Sequence, residues 1–395
     1  VSALVSDPAA LAEAVEGARR SGVVAIDTEF VWERTYYPRL GLVQLAWEPE
    51  GPDDIAVALL DAPALDLRPL GELLGDPDVV KILHDATQDL TILRREAGGE
   101  PTNIFDTQRA SGFVALPATL SLQDLLREVM GVEIGKDEQR TDWLRRPLSD
   151  AQTAYAAADV RYLPEVRRRL LDRAHTRGRT AWITEEMQRY ERPGLYDELD
   201  PHEAHDRVKV GGRLTAEQRS VLREIAAWRE EEARFVDRPR RTVLPDEAVS
   251  EIARRMPGDM GALERLRLPD TVMRRGADAL LEAVARGRAV PQNERPYSAP
   301  RSPEEERLST RTLLLQALLA GRGARQGVDP GMVASKSDLR ALVDAGSRVE
   351  PESHPLLRGW RRAFIGYDLL ALLDGRASVL LDAEDGWPRF HALDA

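Results

Sequence analysis

The stretch Val23-Val24-Ala25-Ile26-Asp27-Thr28-Glu29-Phe30 decides how the rest of the chain is read. Apolar and small residues run into two carboxylates spaced two apart, the pattern of a buried strand with a polar end. Side chains alternate across a strand, so Asp27 and Glu29 project to the same side of the sheet. Two carboxylates held that close repel each other unless protons or a cation stand between them. A hard divalent ion such as Mg²⁺ takes oxygen ligands of this kind and keeps waters of its own. Taken alone, an Asp-x-Glu at a strand end more often marks two solvated acids, so its meaning depends on what lies downstream.

Working outward, Asp7 and Pro8 open a helix that carries Leu11, Val15 and Ala18 on one face and closes at Gly22. Residues 41–47 and 55–60 read as second and third strands, with the acidic, Gly-Pro-bearing segment 48–54 turning between them. A helix over 66–75 leads to a fourth strand, 79–84, after which Asp85 is expected to cap a helix running to about Ala97. A short strand over 103–105 ends at Asp106, helical segments follow to Met130, and a long helix starts near Ser149, with Pro164 kinking or restarting it. Three strands in succession, then helix and strand in alternation, predict one mixed sheet flanked by helices.

Beyond residue 175 the punctuation changes. Pro193, Gly194, Pro201, Gly211 and Gly212 mark 176–212 as a linker with some helix. Residues 213–290 show helical periodicity only, and 291–306 form a second linker rich in Pro, Ser and Glu. Helical patterning returns over 307–375, and 376–395 are expected as a tail. A chain of 395 residues is longer than one core usually serves, which agrees with two or three domains.

Cysteine is absent, so neither disulfides nor a thiolate zinc site is available, as expected of a reducing, cytoplasmic setting. No run of about 18 apolar residues and no signal peptide are seen, so no membrane association is expected. The net charge is −12, but it is unevenly spread: residues 1–175 carry 19 basic and 30 acidic residues, whereas 213–290 carry 16 and 14. An acidic module that cations could partly neutralise is thus joined to a less acidic helical one. No phosphate-binding G-x-x-x-x-G-K-[ST] loop exists, which disfavours a helicase and any nucleotide cofactor.

Two further acids stand in suggestive places. Asp89 ends His84-Asp85-Ala86-Thr87-Gln88-Asp89, just past the fourth strand, where open α/β sheets place their ligands. Asp159 closes Tyr155-Ala156-Ala157-Ala158-Asp159, so phenol and carboxylate share one helix face with only alanine between them. A phenol beside an ion-activated water can orient that water. Four carboxylates and a tyrosine fit two-metal phosphoryl chemistry, in which paired cations stabilise the attacking and leaving oxygens.

This order of residues resembles the DEDD exonuclease superfamily in its tyrosine-bearing branch, and within it the ribonuclease D family. The resemblance covers about residues 1–175 and extends past the acids to Arg34-Thr35-Tyr36-Tyr37-Pro38, Leu42-Val43-Gln44-Leu45, Arg140-Thr141-Asp142-Trp143 and Arg146-Pro147-Leu148. It implies a ribonuclease-H-like α/β exonuclease domain that removes nucleoside 5′-monophosphates one at a time from a 3′ end. Carried over, Asp27, Glu29 and Asp159 would hold the metal that activates water. Asp27 would bridge to a second metal supported by Asp89, and Tyr155 would position the nucleophile. Mg²⁺ is the expected ion, with Mn²⁺ the alternative. Asp85 departs from the family, which often has a small or amide residue there. Phe30, Gln44, His84, Arg140 and Trp143 are candidate nucleic-acid contacts beside the acids.

The helical block resembles the helicase-and-RNase-D C-terminal (HRDC) domain through Leu222-Arg223-Glu224-Ile225-Ala226-Ala227-Trp228-Arg229, Pro239 and Leu244-Pro245-Asp246. Arg238, Arg240 and Arg241 form a candidate phosphate-binding cluster there. Leu356-Leu357-Arg358-Gly359-Trp360-Arg361-Arg362 resembles a degenerate second copy, so one or two all-α bundles are expected. The expected function is metal-dependent trimming of RNA 3′ ends, tRNA and other structured precursors being what the resemblance implies. The alternatives are a DNA 3′–5′ exonuclease in repair, with single-stranded DNA as a partner, and a catalytically silent nucleic-acid-binding adaptor. A 2′-hydroxyl contact would separate RNA from DNA, and no motif reveals one.

Overall fold

Asp7 accepts hydrogen bonds from the amides of Ala9 and Ala10 and so starts the first helix, and Gly22 ends it in the left-handed conformation. The turn that follows delivers the chain into the strand bearing Asp27 and Glu29. In the computed structural model, residues 4–51, 54–135, 138, 141–296 and 302–393 are described. Six strands form one sheet: β1 (Leu4–Val5), β2 (Val23–Val31), β3 (Arg39–Trp47), β4 (Ala56–Asp61), β5 (Val80–Leu83) and β6 (Ile104–Asp106). Their order is β1-β4-β3-β2-β5-β6. β3 and β4 are antiparallel, with Leu42 opposite Asp61 and Trp47 opposite Ala56, while β2–β5 and β5–β6 are parallel. The sheet is therefore mixed.

β2 lies in the middle of that order because its first half can only be buried: Val24, Ala25 and Ile26 are wholly inaccessible. Helices α1 (Pro8–Ser21), α2 (Arg68–Leu74), α3 (Thr87–Ala97), α4 (Thr107–Ser111), α5 (Leu122–Met130), α6 (Asp150–Arg161), α7 (Leu163–Thr176) and α8 (Thr180–Met187) complete this part of the chain. α6 opens with a capping box in which Ser149 and Gln152 satisfy each other's amides. α7 restarts at Leu163 with Pro164 in its first turn, where the missing amide proton is harmless.

The chain divides into two compact units: Val1–Glu29, Leu40–Tyr196 and Arg301–Ala395 in one, Phe30–Arg39 and Asp197–Pro300 in the other. This division differs from the sequence expectation, which set 307–375 apart as a domain of its own. Those residues share a core with the sheet-bearing part. Trp360 stacks on Trp182 (5.6 Å, 22°) and meets Phe113 edge-on at 5.0 Å. The Arg179 guanidinium donates to the Phe113 and Gly327 carbonyls at 2.7 and 2.8 Å. The expected tail is a hairpin instead, Ala377–Leu381 against Pro388–Ala392. Its strands follow the period of two over too few residues to stand out in sequence.

The second unit packs helices Ala216–Phe235, Asp246–Arg255 and Asp270–Ala289 around Val221, Ile225, Leu244, Ile252, Leu280 and Val284. Gly287 is required where two of them cross, since a Cβ there would lie 2.5 Å from Val221 Cα. Residues 30–39 join this unit through Tyr36. Its hydroxyl donates to the fully buried Glu230 and lies 3.0 Å from Arg234 Nε and 3.1 Å from an Arg240 nitrogen.

Candidate active site

Strand alternation puts Asp27 and Glu29 on one side of β2, and α6 brings Asp159 to them. One carboxylate oxygen from each of these three residues lies within 4.8 Å of the other two. Burial drives each carboxyl pKa upward, and repulsion adds to it at Asp27 and Glu29. Asp27 is raised well above the ordinary carboxylate range by desolvation and then by Asp159. Glu29 is pushed up to about 10 by desolvation, then by Asp27, Asp159 and Asp89. Asp159 rises to about 7 through desolvation, against a hydrogen bond from Tyr155 that lowers it. Three acids that, among the described residues, form no ion pair with a cationic side chain and offer oxygen only make a donor set suited to a hard divalent ion.

Asp89 sits in the first turn of α3 and is also buried. It falls outside the three-carboxylate group: its Oδ1 accepts a hydrogen bond from the Thr28 hydroxyl. Desolvation and then the charge of Asp27 raise its pKa, so it still shares the field of the cluster. Thr28, the residue between the two strand acids, thus tethers the fourth, a role that only the long-range fold reveals.

Asp85 does not cap α3. The N-cap is Ala86, with no side-chain hydrogen bond, and Asp85 adopts a left-handed backbone (φ 59°). The capping work falls to the fully buried Asp106, whose carboxylate accepts the amides of Asp85, Ala86, Gln108 and Arg109 at 3.3, 3.0, 2.8 and 3.1 Å. It also accepts the Tyr190 hydroxyl at 2.5 Å. One carboxylate therefore ties the turn before α3 to the start of α4.

A model described as 3′-5′ exonuclease matches residues 3–174, and one described as HRDC domain matches residues 218–284. Ribonuclease D of Gluconacetobacter diazotrophicus is 40% identical over 384 residues, covering 96% of this chain and 94% of the relative. Ribonuclease D of Pseudomonas paraeruginosa is 37% identical, with 94% and 97% covered. The chain belongs to the ribonuclease D family. Among solved structures, Escherichia coli RNase D superposes with a TM-score of 0.80 at 29% identity, covering 95% of this chain and 99% of that one. The ribonuclease-H-like sheet with its helical HRDC region is accordingly the fold, and hydrolytic 3′–5′ exoribonuclease the enzyme class. A DEDD exonuclease domain of this kind implies divalent metal ions, and the carboxylate cluster is where the donors converge.

Within this ribonuclease D fold, several candidate nucleic-acid contacts stand elsewhere than expected. Gln44 is wholly buried in β3, so it cannot touch a ligand from there. Trp143 is 1% exposed and lies under Tyr155, ring centroids 6.1 Å apart, where it backs the phenol rather than a base. Both ring nitrogens of His84 are engaged, with Thr107 Oγ1 at 2.9 Å and the Leu120 carbonyl at 3.0 Å. Burial lowers its pKa, so it is a neutral strand-end histidine and not a phosphate contact. Phe30, grouped with the second unit, is half-buried. Arg140 lies outside the described residues.

The arginine cluster of the helical unit is also largely neutralised. Arg240 is paired with Glu230, and Arg241 with Asp246 at 3.1 Å. Arg238 is exposed and donates to the Arg34 carbonyl at 3.4 Å. Sequence composition counts the arginines but not the acids that the fold brings against them. Thr28 and the link from Asp106 to the turn before α3 were missed for the same reason: Asp89 lies 61 residues from Thr28, and Ala86 lies 20 from Asp106.

Proposed function

We propose that this chain shortens RNA from the 3′ end by hydrolysis, with Asp27, Glu29, Asp89 and Asp159 holding two divalent cations, Mg²⁺ before Mn²⁺. The observation that carries the reading is the convergence of three carboxylates within 4.8 Å, Asp159 buried and Asp27 and Glu29 half-buried, with each pKa driven up by desolvation and those of Asp27 and Glu29 further by repulsion. When bound, paired cations lower the pKa of water and stabilise charge on the attacking and leaving oxygens of an in-line displacement. The protein's own part is positional. β2 holds two acids rigidly, Thr28 holds Asp89, and the α6 capping box anchors the helix bearing Tyr155 and Asp159. Tyr155, hydrogen-bonded to Asp159 and backed by Trp143, orients the attacking water and keeps its own proton. An ordinary phenol pKa of about 10 makes it a poor base at neutral pH.

The substrates are structured-RNA precursors, tRNA among them. Support comes from the Escherichia coli relative, described as an exoribonuclease involved in structured RNA processing. The test is incubation with matched 3′-labelled and 5′-labelled RNA and DNA strands, with and without Mg²⁺. A ladder from 5′-labelled RNA and mononucleotide from 3′-labelled RNA, both Mg²⁺-dependent, are expected. Equal or faster laddering of DNA would overturn the substrate assignment.

A further inference from the structure

A polar cavity of about 730 Å³ opens where the end of α8 and the following turn face the C-terminal helical block of the same unit. Its volume falls in the range of about 300–1,000 Å³ usual for ligand clefts. Arg109, Arg189, Arg192, Arg358 and Arg361 line it, against the acids Glu185, Glu186 and Asp338. Five cations to three anions is a local excess of positive charge in a chain whose net charge is −12.

The acids are already engaged. Glu186, 4% exposed, pairs with Arg109 at 2.5 Å and Arg361 at 2.9 Å, lies 3.6 Å from Arg189, and accepts Trp360 Nε1 at 3.3 Å. Glu185 accepts the Trp360 backbone amide at 3.0 and 3.2 Å. That approach needs a glycine at 359 (φ +52°), because a Cβ there would lie 1.6 Å from the Glu185 carboxylate. Asp338 is held in the capping box of its own helix with Ser335. Among the described residues, Arg192 and Arg358 face no carboxylate: both are exposed and neither forms an ion pair.

We propose that Arg192 and Arg358, with Arg189 beside them, bind backbone phosphates of the RNA strand at a site that shares no residue with the carboxylate cluster. Guanidinium groups match phosphate oxygens in geometry and charge. Among the described residues no aromatic ring lines the cavity, so recognition falls on the backbone without regard to sequence. The proposal rests on RNA being the substrate. It adds a second anchor, on the block that the sequence shows only as a degenerate helical copy.

The test is the full-length double variant R192A/R358A beside the wild type. Among the described residues neither side chain forms an ion pair, so an unchanged melting temperature is the folding control. Binding of a labelled oligoribonucleotide ladder is followed by anisotropy in EDTA across a salt series, and turnover of a dinucleotide and a long strand in Mg²⁺. For a long strand, each lost phosphate contact reduces the slope of log affinity against log salt by about 0.7, so the double variant loses about 1.4. Its KM for the long strand rises about tenfold or more, while turnover of the dinucleotide is unchanged. The shortest RNA that shows the defect reports the span from the 3′ end to the cleft.

An unchanged slope and KM, in a wild type that does degrade RNA, would overturn the proposal alone. A wild type that neither binds nor degrades RNA would overturn the substrate reading beneath it. The free-anion arm uses adenosine 5′-monophosphate and inorganic phosphate as competitors. If either binds wild type but not the variant while the long strand's salt slope and KM are the same in both, the cleft is a mononucleotide or phosphate site and the strand assignment is wrong.

Discussion

Asp106→Asn tests whether one buried carboxylate sets the position of Asp89. The native group receives five donors: Oδ1 takes the amides of Asp85, Gln108 and Arg109, and Oδ2 takes the Ala86 amide and the Tyr190 hydroxyl. Burial and Asp106 both push the Tyr190 pKa upward, so its proton stays in place to donate. Asparagine has nearly the same shape but only one oxygen. If that oxygen keeps the three Oδ1 donors, the amide nitrogen faces the Ala86 N–H with a donor of its own. The Tyr190 hydroxyl can turn to accept, but the Ala86 amide cannot. The loss combines one unsatisfied buried donor, about 1–3 kcal/mol, with weakened bonds to a formerly charged acceptor. A total of about 3 kcal/mol is expected, or a fall in melting temperature of about 6–12 °C at two to four degrees per kcal/mol. Because Ala86 is the N-cap of α3 and Asp89 lies in its first turn, the Mg²⁺ concentration for half-maximal activity should rise as well. Calorimetry and a Mg²⁺ titration of RNA hydrolysis read the two effects. A variant that melts with the wild type and titrates Mg²⁺ identically would refute the reasoning.

The other substitutions separate charge, hydroxyl and burial. Asp27→Asn should cut single-turnover RNA hydrolysis by more than about a hundredfold, the effect of losing one charge-stabilising group elsewhere. It should also raise the melting temperature in EDTA, because a desolvated charge beside Asp159 and Glu29 is gone; near-normal activity, or a destabilised apo-protein, would count against the cluster. Tyr155→Phe should slow the same step by a factor within about 10²–10⁴ and leave Mg²⁺ dependence alone; a parallel loss of Mg²⁺ affinity would make the phenol a structural support. Lys81, inaccessible in β5 and donating to the Asp76 carbonyl at 2.6 Å, has its pKa pulled by burial from the ordinary 10.5 to about 8. Between those values only the unfolded chain keeps the proton, so stability rises with pH across that window and is lower below it. Lys81→Met removes this dependence, and its advantage over wild type in urea melts should shrink from pH 7 to pH 10; a constant difference would refute the assignment.

What the sequence could disclose were features whose cause is local. The β2 acids and the caps of α1, Asp7 and Gly22, are set by residues a few positions apart, and the structure shows them within a residue or two of where the pattern places them. The restart at Pro164 follows from proline chemistry alone. Long-range closure left no such trace. Asp85 and Asp106 are both acids beside strand ends, yet only Asp106 caps, because β6 lies next to β5 in the sheet. Gln44 and Trp143 looked available because polar and amphipathic side chains usually reach the surface, but both are buried beside the site. The arginines at 240 and 241 read as free cations until Glu230 and Asp246 were set against them.

The acids of the site oppose folding, which is why their supports are built so independently of one another. Desolvation raises the pKa values of Asp27, Glu29, Asp89 and Asp159, and repulsion adds to it at Asp27, Glu29 and Asp89, so in the absence of a counter-ion each charged form costs stability. Besides the Thr28 hydroxyl on Asp89 and the Tyr155 hydroxyl on Asp159, the fold holds them by means that do not involve the acids themselves: the apolar half of β2, the Asp106 hub behind α3, and the capping box of α6. A cation that binds this arrangement and not the unfolded chain returns stability, about 2.7 kcal/mol at a hundredfold excess over its dissociation constant. The same geometry that makes the empty cluster unfavourable therefore makes it selective. It favours the ion whose charge relieves the repulsion and whose radius suits closely set carboxylate oxygens, and it gains least from a monovalent one.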